Sequence, residues 1–169
     1  PLHVVEPWQR WSSSVPLTVD RHVEDLAGVI SRDISDEKPA LVGESWGAML
    51  SLVFASHYPD RVSALALIGC GTFDRASRAR LQETLAHRTS PELKAQLADL
   101  ESRFLDEGER LARAHRLSES IYTYCRAAGV EDPVDHFDPE GHAETWDDMV
   151  RLQDAGVYPA RFVSIRCPV

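Results

Sequence analysis

Ser45 is the residue in this chain whose neighbours most clearly suit it to chemistry. It stands in Gly43-Glu44-Ser45-Trp46-Gly47, a Gly-x-Ser-x-Gly pattern. The apolar run Ala40-Leu41-Val42 precedes the pattern, and the helix-like run Ala48-Met49-Leu50-Ser51-Leu52 follows it. Strand, sharp turn, helix is the setting in which this pattern presents a serine hydroxyl as a nucleophile. Such a serine sits in a strained backbone conformation, with strand and helix passing close on either side. A Cβ at position 43 or 47 is expected to clash there, so both are glycine. The turn lifts the hydroxyl above the sheet. It also leaves the Trp46 backbone N–H unpaired at the helix start, where it can stabilise an oxyanion. The chemistry implied is attack on a carbonyl carbon.

The elements that must hold this turn follow from periodicity. Residues 2–5 read as a short apolar strand, and residues 6–16 as a polar and aromatic loop. Thr18 is suited to cap a helix running to about Asp33, whose Val19, Val23, Leu26 and Ile30 share one face. Pro39 opens a strand over residues 40–42. The helix from Trp46 to about Tyr58 is apolar nearly all round, which predicts burial on several sides. Residues 62–68 read as a strand buried on both faces. Alternating strands and helices are the signature of a parallel sheet with crossover helices, an α/β fold.

Beyond Phe73 the pattern becomes helical throughout. Leu81 and Leu85 mark one helix. Ser90-Pro91-Glu92 starts a second, with Leu93, Leu97, Leu100 and Phe104 on one face. A third is predicted over residues 109–128, with Leu111, Ala114, Leu117, Ile121 and Cys125 inward. Residues 130–141 read as a loop with Pro133 and Pro139. A last helix spans about 142–155, presents Trp146, Met149 and Val150, and is ended by Gly156. Residues 73–160 are therefore expected to form an all-helical lid over the sheet, and residues 161–169 to begin another strand.

Composition narrows the function classes. The 169 residues carry a net charge of −9, which argues against a nucleic-acid partner and an anionic membrane surface. No apolar run approaches the length of a membrane span. No basic, signal-like segment opens the chain. Cys70, Cys125 and Cys167 form no CxxC, which suggests reduced thiols and a cytoplasmic setting. The absence of an initiator methionine and the strand-like ends suggest an internal fragment of a longer protein.

With these residues in view the chain resembles an α/β-hydrolase. The resemblance rests on Gly43-Glu44-Ser45-Trp46-Gly47, on Ser56-His57-Tyr58-Pro59-Asp60-Arg61-Val62 after the elbow helix, and on Leu65-Ala66-Leu67-Ile68-Gly69. The tail Ile165-Arg166-Cys167-Pro168-Val169 is similar to the strand that leads to the family's catalytic acid. On that mapping residues 1–72 are the central part of the core. Residues 2–5, 40–42 and 63–68 correspond to strands 4, 5 and 6. Residues 73–160 are the lid between strands 6 and 7, and 161–169 the start of strand 7. Trp46 directly after the serine resembles the proline-iminopeptidase-like branch, whose elbow often reads Ser-Trp-Gly.

The resemblance implies a serine hydrolase acting on a small-molecule ester or amide, with no metal or organic cofactor. Ser45 is the nucleophile and Trp46 an oxyanion donor, with Gly43 and Gly47 shaping the elbow. The second oxyanion donor is expected upstream of Pro1, and the acid and histidine downstream of Val169, so the chain alone is expected to be nearly inactive. Within the chain, Asp74 occupies a position that a minority of hydrolases use for the acid; its other reading is a helix start. No histidine inside the chain is placed as a base. His57 lies far from the helix tip, His22 on the polar side of its helix, and His87, His115, His136 and His142 in the lid. Asp135, His136, Asp138, Glu140 and His142 read as a solvated acidic loop, not a metal site. Glu140, Glu144, Asp147 and Asp148 form either an exposed helix face or an acidic surface over the site. Trp8, Trp11 and Trp146 suit an apolar acyl pocket or the core, and Glu44 a buried place under the elbow. The rival reading is a non-catalytic member of the same fold that binds a small ligand or partner under its lid.

Overall fold

A computed structural model describes residues 3–34, 37–123 and 137–169. Its elements run α1 (Val19–Asp33), β1 (Ala40–Glu44), α2 (Trp46–His57), β2 (Ala64–Ile68), α3 (Arg75–Arg88), α4 (Pro91–Arg103), α5 (Glu107–Tyr122) and α6 (Pro139–Asp154). A 3-10 turn, Ala160–Ser164, follows. The helix starts are where local chemistry puts them. The Thr18 hydroxyl accepts the Arg21 N–H at 3.2 Å. The Ser90 hydroxyl accepts the Leu93 N–H at 3.2 Å, with Pro91 in the first turn of α4. Each satisfies an amide that the helix cannot. Gly156, at φ 73, turns the chain out of α6 as a left-handed residue after a helix should. Among the described residues no helix is long and apolar enough to cross a membrane.

β1 and β2 are parallel and in register from Ala40 opposite Ala64 to Glu44 opposite Ile68. Helix α2 is the crossover between them, so the α/β reading of this part holds. The sheet is smaller than the sequence suggested, with two strands among the described residues. His3, Val4 and Val5 form no strand, and Val4 is 79% exposed. A strand exists through its ladder of partners, and no described strand pairs with this segment. The tail is likewise no strand, but the Pro168 carbonyl accepts the Leu65 N–H at 2.9 Å and so sits on the free edge of β2. Nor is β2 buried on both faces: Ile68 is exposed, and in β1 Val42 is 71% exposed.

The core lies on the other face. Val19, Val23 and Ile30 of α1 meet Met49, Val53, Phe54 and Ala55 of α2, with Leu65 of β2, Met149 of α6 and Tyr158. Burial pushes the Tyr158 hydroxyl up to about 12. The predicted apolar faces of α1 and α2 are thus the buried ones. Helix α3 buries no side chain. It is tied to α6 by Arg78, which donates to Gln153 and, at 2.8 Å, to Asp154. Helix α5 begins at Glu107, two residues before its expected start, because Asp106 caps it through the Glu109 N–H. Cys125 and the rest of its predicted C-terminal turn lie outside the described residues, as does Pro133.

Helix α6 starts at Pro139, where the sequence suggested a loop, because Asp138 caps it by accepting the Gly141 N–H at 3.0 Å. It is held to the core by carboxylates as well as by Met149. Glu144 accepts the Leu17 N–H and Asp148 the Val19 N–H, each at 2.8 Å. The main chain entering α1 therefore hangs on acids more than 120 residues later. Asp148→Ala strands a first-turn amide of α1 and is expected to lower stability by about 1–3 kcal/mol. Urea unfolding measures this, and an unchanged midpoint would show that the amide finds water instead.

Candidate active site

Ser45 has φ 50 and ψ −114. It is the one non-glycine residue with positive φ among those described. Its backbone resembles the first central position of a type II′ turn, which an L side chain occupies only under strain. Two main-chain bonds hold it there. The Ser45 N–H donates to the Ile68 carbonyl at 2.9 Å, and its own carbonyl accepts the Met49 N–H at 3.2 Å. One end of the turn is locked to the end of β2 and the other to the first turn of α2. The side chain is exposed and makes no capping bond to the helix. Trp46 begins α2, so its N–H has no acceptor within the helix.

The two glycines of the motif are not equivalent. A Cβ on Gly43 would lie 2.3 Å from the Gly47 carbonyl oxygen and 2.5 Å from the Ala48 nitrogen. A Cβ on Gly47 meets nothing within 4 Å. The expectation of a clash at both positions is therefore corrected. The start of α2 lies directly on Gly43, while the Cβ position of Gly47 looks into open space. Glu44 is also corrected: it ends β1 on the exposed side of the pleat and is not buried beneath the elbow.

Trp46 leads from the turn into a cleft of about 450 Å³. It is lined by residues 6–11 and Leu17, by His22 and Trp46, and by Gly141, His142, Thr145 and Trp146 of α6. All four tryptophans of the chain line this space. Trp8, Trp11 and Trp146 are 98%, 57% and 37% exposed, so the pocket reading fits them and core packing does not. His22 is the residue that sequence reasoning misplaced. It is buried, with Nε2 2.9 Å from the Thr145 hydroxyl and its ring 5.6 Å from the Trp46 ring, edge on. Its spacing carried the signal, since it stands three residues after Val19 and four before Leu26, both on the apolar face. Thr145, Leu17 and Phe137 also line the cleft, and nothing in their local sequence marks them for it.

The remaining candidates do not converge on Ser45. Asp74 caps α3, with Oδ1 accepting the Ser77 N–H at 2.8 Å and Oδ2 the Ser77 hydroxyl at 2.7 Å. Those bonds, led by the backbone one, hold its carboxyl below the usual range. This is the helix-start role. His57 lies at the far end of α2, about 16 Å along the helix from Trp46. Its Nε2 is 3.1 Å from the Tyr158 hydroxyl. Among the described residues no histidine bonds Ser45. Asp138 accepts the Ser12 N–H and the Ser12 hydroxyl besides capping α6. Burial pushes its carboxyl up, but the Gly141 and Ser12 bonds outweigh this and leave it lowered. Glu140 and His142 are exposed, and Asp135 and His136 lie outside the described residues. No group of metal-ligating side chains occurs among the described residues. The acidic surface considered for α6 is also changed, since Glu144 and Asp148 face the main chain of residues 17–19.

A family model described as the alpha/beta hydrolase fold matches residues 9–154. The chain belongs to the α/β-hydrolase fold family. The match spans the elbow, most of the cleft lining and the six described helices, so the α/β-hydrolase elements extend well beyond the motif itself. The fold is typically hydrolytic. Comparison with curated proteins and with solved structures gave no significant match.

One buried and one half-buried histidine give this α/β-hydrolase chain a pH dependence whose sign is fixed. Burial lowers the pKa of His22, opposed by Asp25 and assisted by Arg10. Burial also lowers that of His57, assisted by Arg161 and opposed by Asp20. Each is depressed below its unfolded value, so the unfolded chain binds more protons as the pH falls. Stability is full above about pH 6.5 and declines as the pH drops from there towards the folded pKa values. The melting temperature is expected to fall between about pH 7.5 and 5.5, with a shallower slope in His22→Gln. A flat wild-type profile over that range would contradict the buried, neutral assignment.

Proposed function

We propose that this chain carries the nucleophile of a serine hydrolase that cleaves an ester or a small amide through an acyl-enzyme on Ser45. The observation that carries this reading is the strained, exposed serine at the N-terminus of α2. Such strain persists in a non-glycine residue where the surroundings enforce it, and it clusters at functional sites. Ser45 Oγ attacks the acyl carbonyl carbon while a histidine takes its proton, and the Trp46 N–H holds the tetrahedral oxyanion. The intermediate collapses, and the leaving group departs with the proton returned by that histidine. Water then attacks the acyl-enzyme by the same route and frees Ser45.

Ser45 has no histidine partner among the described residues, and the resemblance to the family places the base and its orienting acid downstream of Val169. Helices α3 to α6 serve as the lid, and α6 walls the cleft beside Trp46. The reaction needs no metal or organic cofactor, and a cytoplasmic setting suits the three thiols. An ester is favoured over an aminopeptidase substrate. Of the four α6 carboxylates considered for holding a substrate amine, Glu144 and Asp148 are engaged by backbone amides, and Glu140 and Asp147 are exposed to water.

A fluorophosphonate probe tests the assignment. With native flanking sequence restored, labelling of Ser45 is expected to be rapid and absent in Ser45→Ala. The 169-residue chain alone should label slowly. Rapid labelling of that chain would place a base within it. No labelling of the extended protein, with ester hydrolysis unchanged by Ser45→Ala, would leave the fold as a binder.

A further inference from the structure

We propose that the cleft beside Trp46 is a binding site for an uncharged aromatic group, so that the substrate is a neutral aryl ester or amide. This deepens the hydrolase reading and takes the word substrate from it, but binding itself does not require Ser45 to react.

The concentration of tryptophan is the first observation. Every tryptophan in the chain lines this one cleft. Three of them keep more than a third of their surface in water. Exposed indoles gathered around a concavity are costly to leave hydrated, and such patches mark sites that something covers. At about 450 Å³ the space suits a small organic molecule. Indole faces and edges favour stacked or edge-on contact with another ring, worth more than the apolar area alone.

Charge is the second observation, and it separates an aromatic guest from a cationic one. Indole faces attract a cation by themselves, and a carboxylate left free beside them strengthens the hold. Here the lining carboxylate Asp138 already accepts from the Ser12 N–H, the Ser12 hydroxyl and the Gly141 N–H. The lining guanidinium, Arg10, is held by both oxygens of Asp25, at 2.9 and 2.5 Å. It therefore offers no free charge to an anion either. His22 is buried and engaged with Thr145. Glu6 is exposed at the rim, in water. Among the described lining residues the fixed charges other than Glu6 are answered inside the chain, so the space between the indoles favours a neutral ring.

Because all four tryptophans line the cleft, intrinsic fluorescence reports occupancy directly. The Ser45→Ala chain, which cannot turn over an ester, is titrated with phenyl acetate, cyclohexyl acetate, benzyltrimethylammonium and benzoate. Phenyl acetate is expected to quench or shift the emission and to bind about five- to tenfold tighter than the other three. Trp8→Ala, at a fully solvated side chain, should weaken it by a similar factor without lowering the melting temperature. Equal binding of cyclohexyl acetate, tighter binding of either ion, or no response to phenyl acetate would overturn the proposal. Failure of fluorophosphonate labelling in the protein with its native flanking sequence, with the aryl preference intact, would refute the hydrolase and leave the site. Labelling without the preference would do the reverse.

Discussion

Replacing Ser45 with glycine is expected to abolish covalent labelling and, in the same variant, to make the chain more stable. Both effects come from one backbone position. The hydroxyl is the proposed nucleophile, and loss of a nucleophile in such a site lowers turnover by about 10⁴- to 10⁶-fold. The fold meanwhile maintains φ 50, ψ −114 in a residue with a Cβ. That strain is of order 1–3 kcal/mol. Glycine removes it, at the expense of roughly 0.5–1 kcal/mol from its freer unfolded chain. The net gain is about 1 kcal/mol, a rise in melting temperature of about 2–4 °C for a chain of this size. Ser45→Ala is the control, since it loses the hydroxyl but keeps the strain, and its stability should match the wild type. If the glycine and alanine variants melt together, the turn is not strained in the sense argued. If labelling survives in either, the nucleophile lies elsewhere.

The second large effect concerns the flanking glycines, which the motif writes symmetrically and the fold treats differently. Gly43→Ala places a Cβ within 2.5 Å of main-chain atoms of Gly47 and Ala48. Neither neighbour has a flexible tip to swing away, so β1 and α2 must separate. That parting disturbs the contact holding Ser45 between β2 and α2, and a loss of about 3 kcal/mol or more is expected. Gly47→Ala puts its methyl into open space within a helix, where alanine is favoured by roughly 0.5–1 kcal/mol. Urea unfolding of the two variants side by side decides the matter. Midpoints that fall together would mean that Gly47 is as confined as Gly43.

The sequence carried those parts of the molecule that are set within a few residues of themselves. Thr18, Ser90 and Gly156 mark helix ends through bonds or dihedrals spanning only three or four positions. The apolar spacing of α1 and the all-round apolarity of α2 reveal which surfaces are buried, since a helix repeats every 3.6 residues wherever it packs. The elbow belongs to the same class, because strand, turn and helix are consecutive.

What tertiary structure alone decided depends on partners remote in the chain. The ladder that would make a strand of residues 3–5 has no partner among those described, however apolar the segment. His22 is buried because Thr145 and Trp46 come to it. Glu144 and Asp148 resemble any exposed pair of helix acids until the amides of Leu17 and Val19 are brought within 2.8 Å of them. The four tryptophans are scattered from position 8 to 146 and line one cleft only when α6 packs against the entry to α1. The sequence by itself determined that Ser45 sits on a strand-to-helix turn, and hence the family. The tertiary structure decided which glycine that turn depends on and what surrounds the residue after it, because those are contacts between surfaces and not between neighbours along the chain.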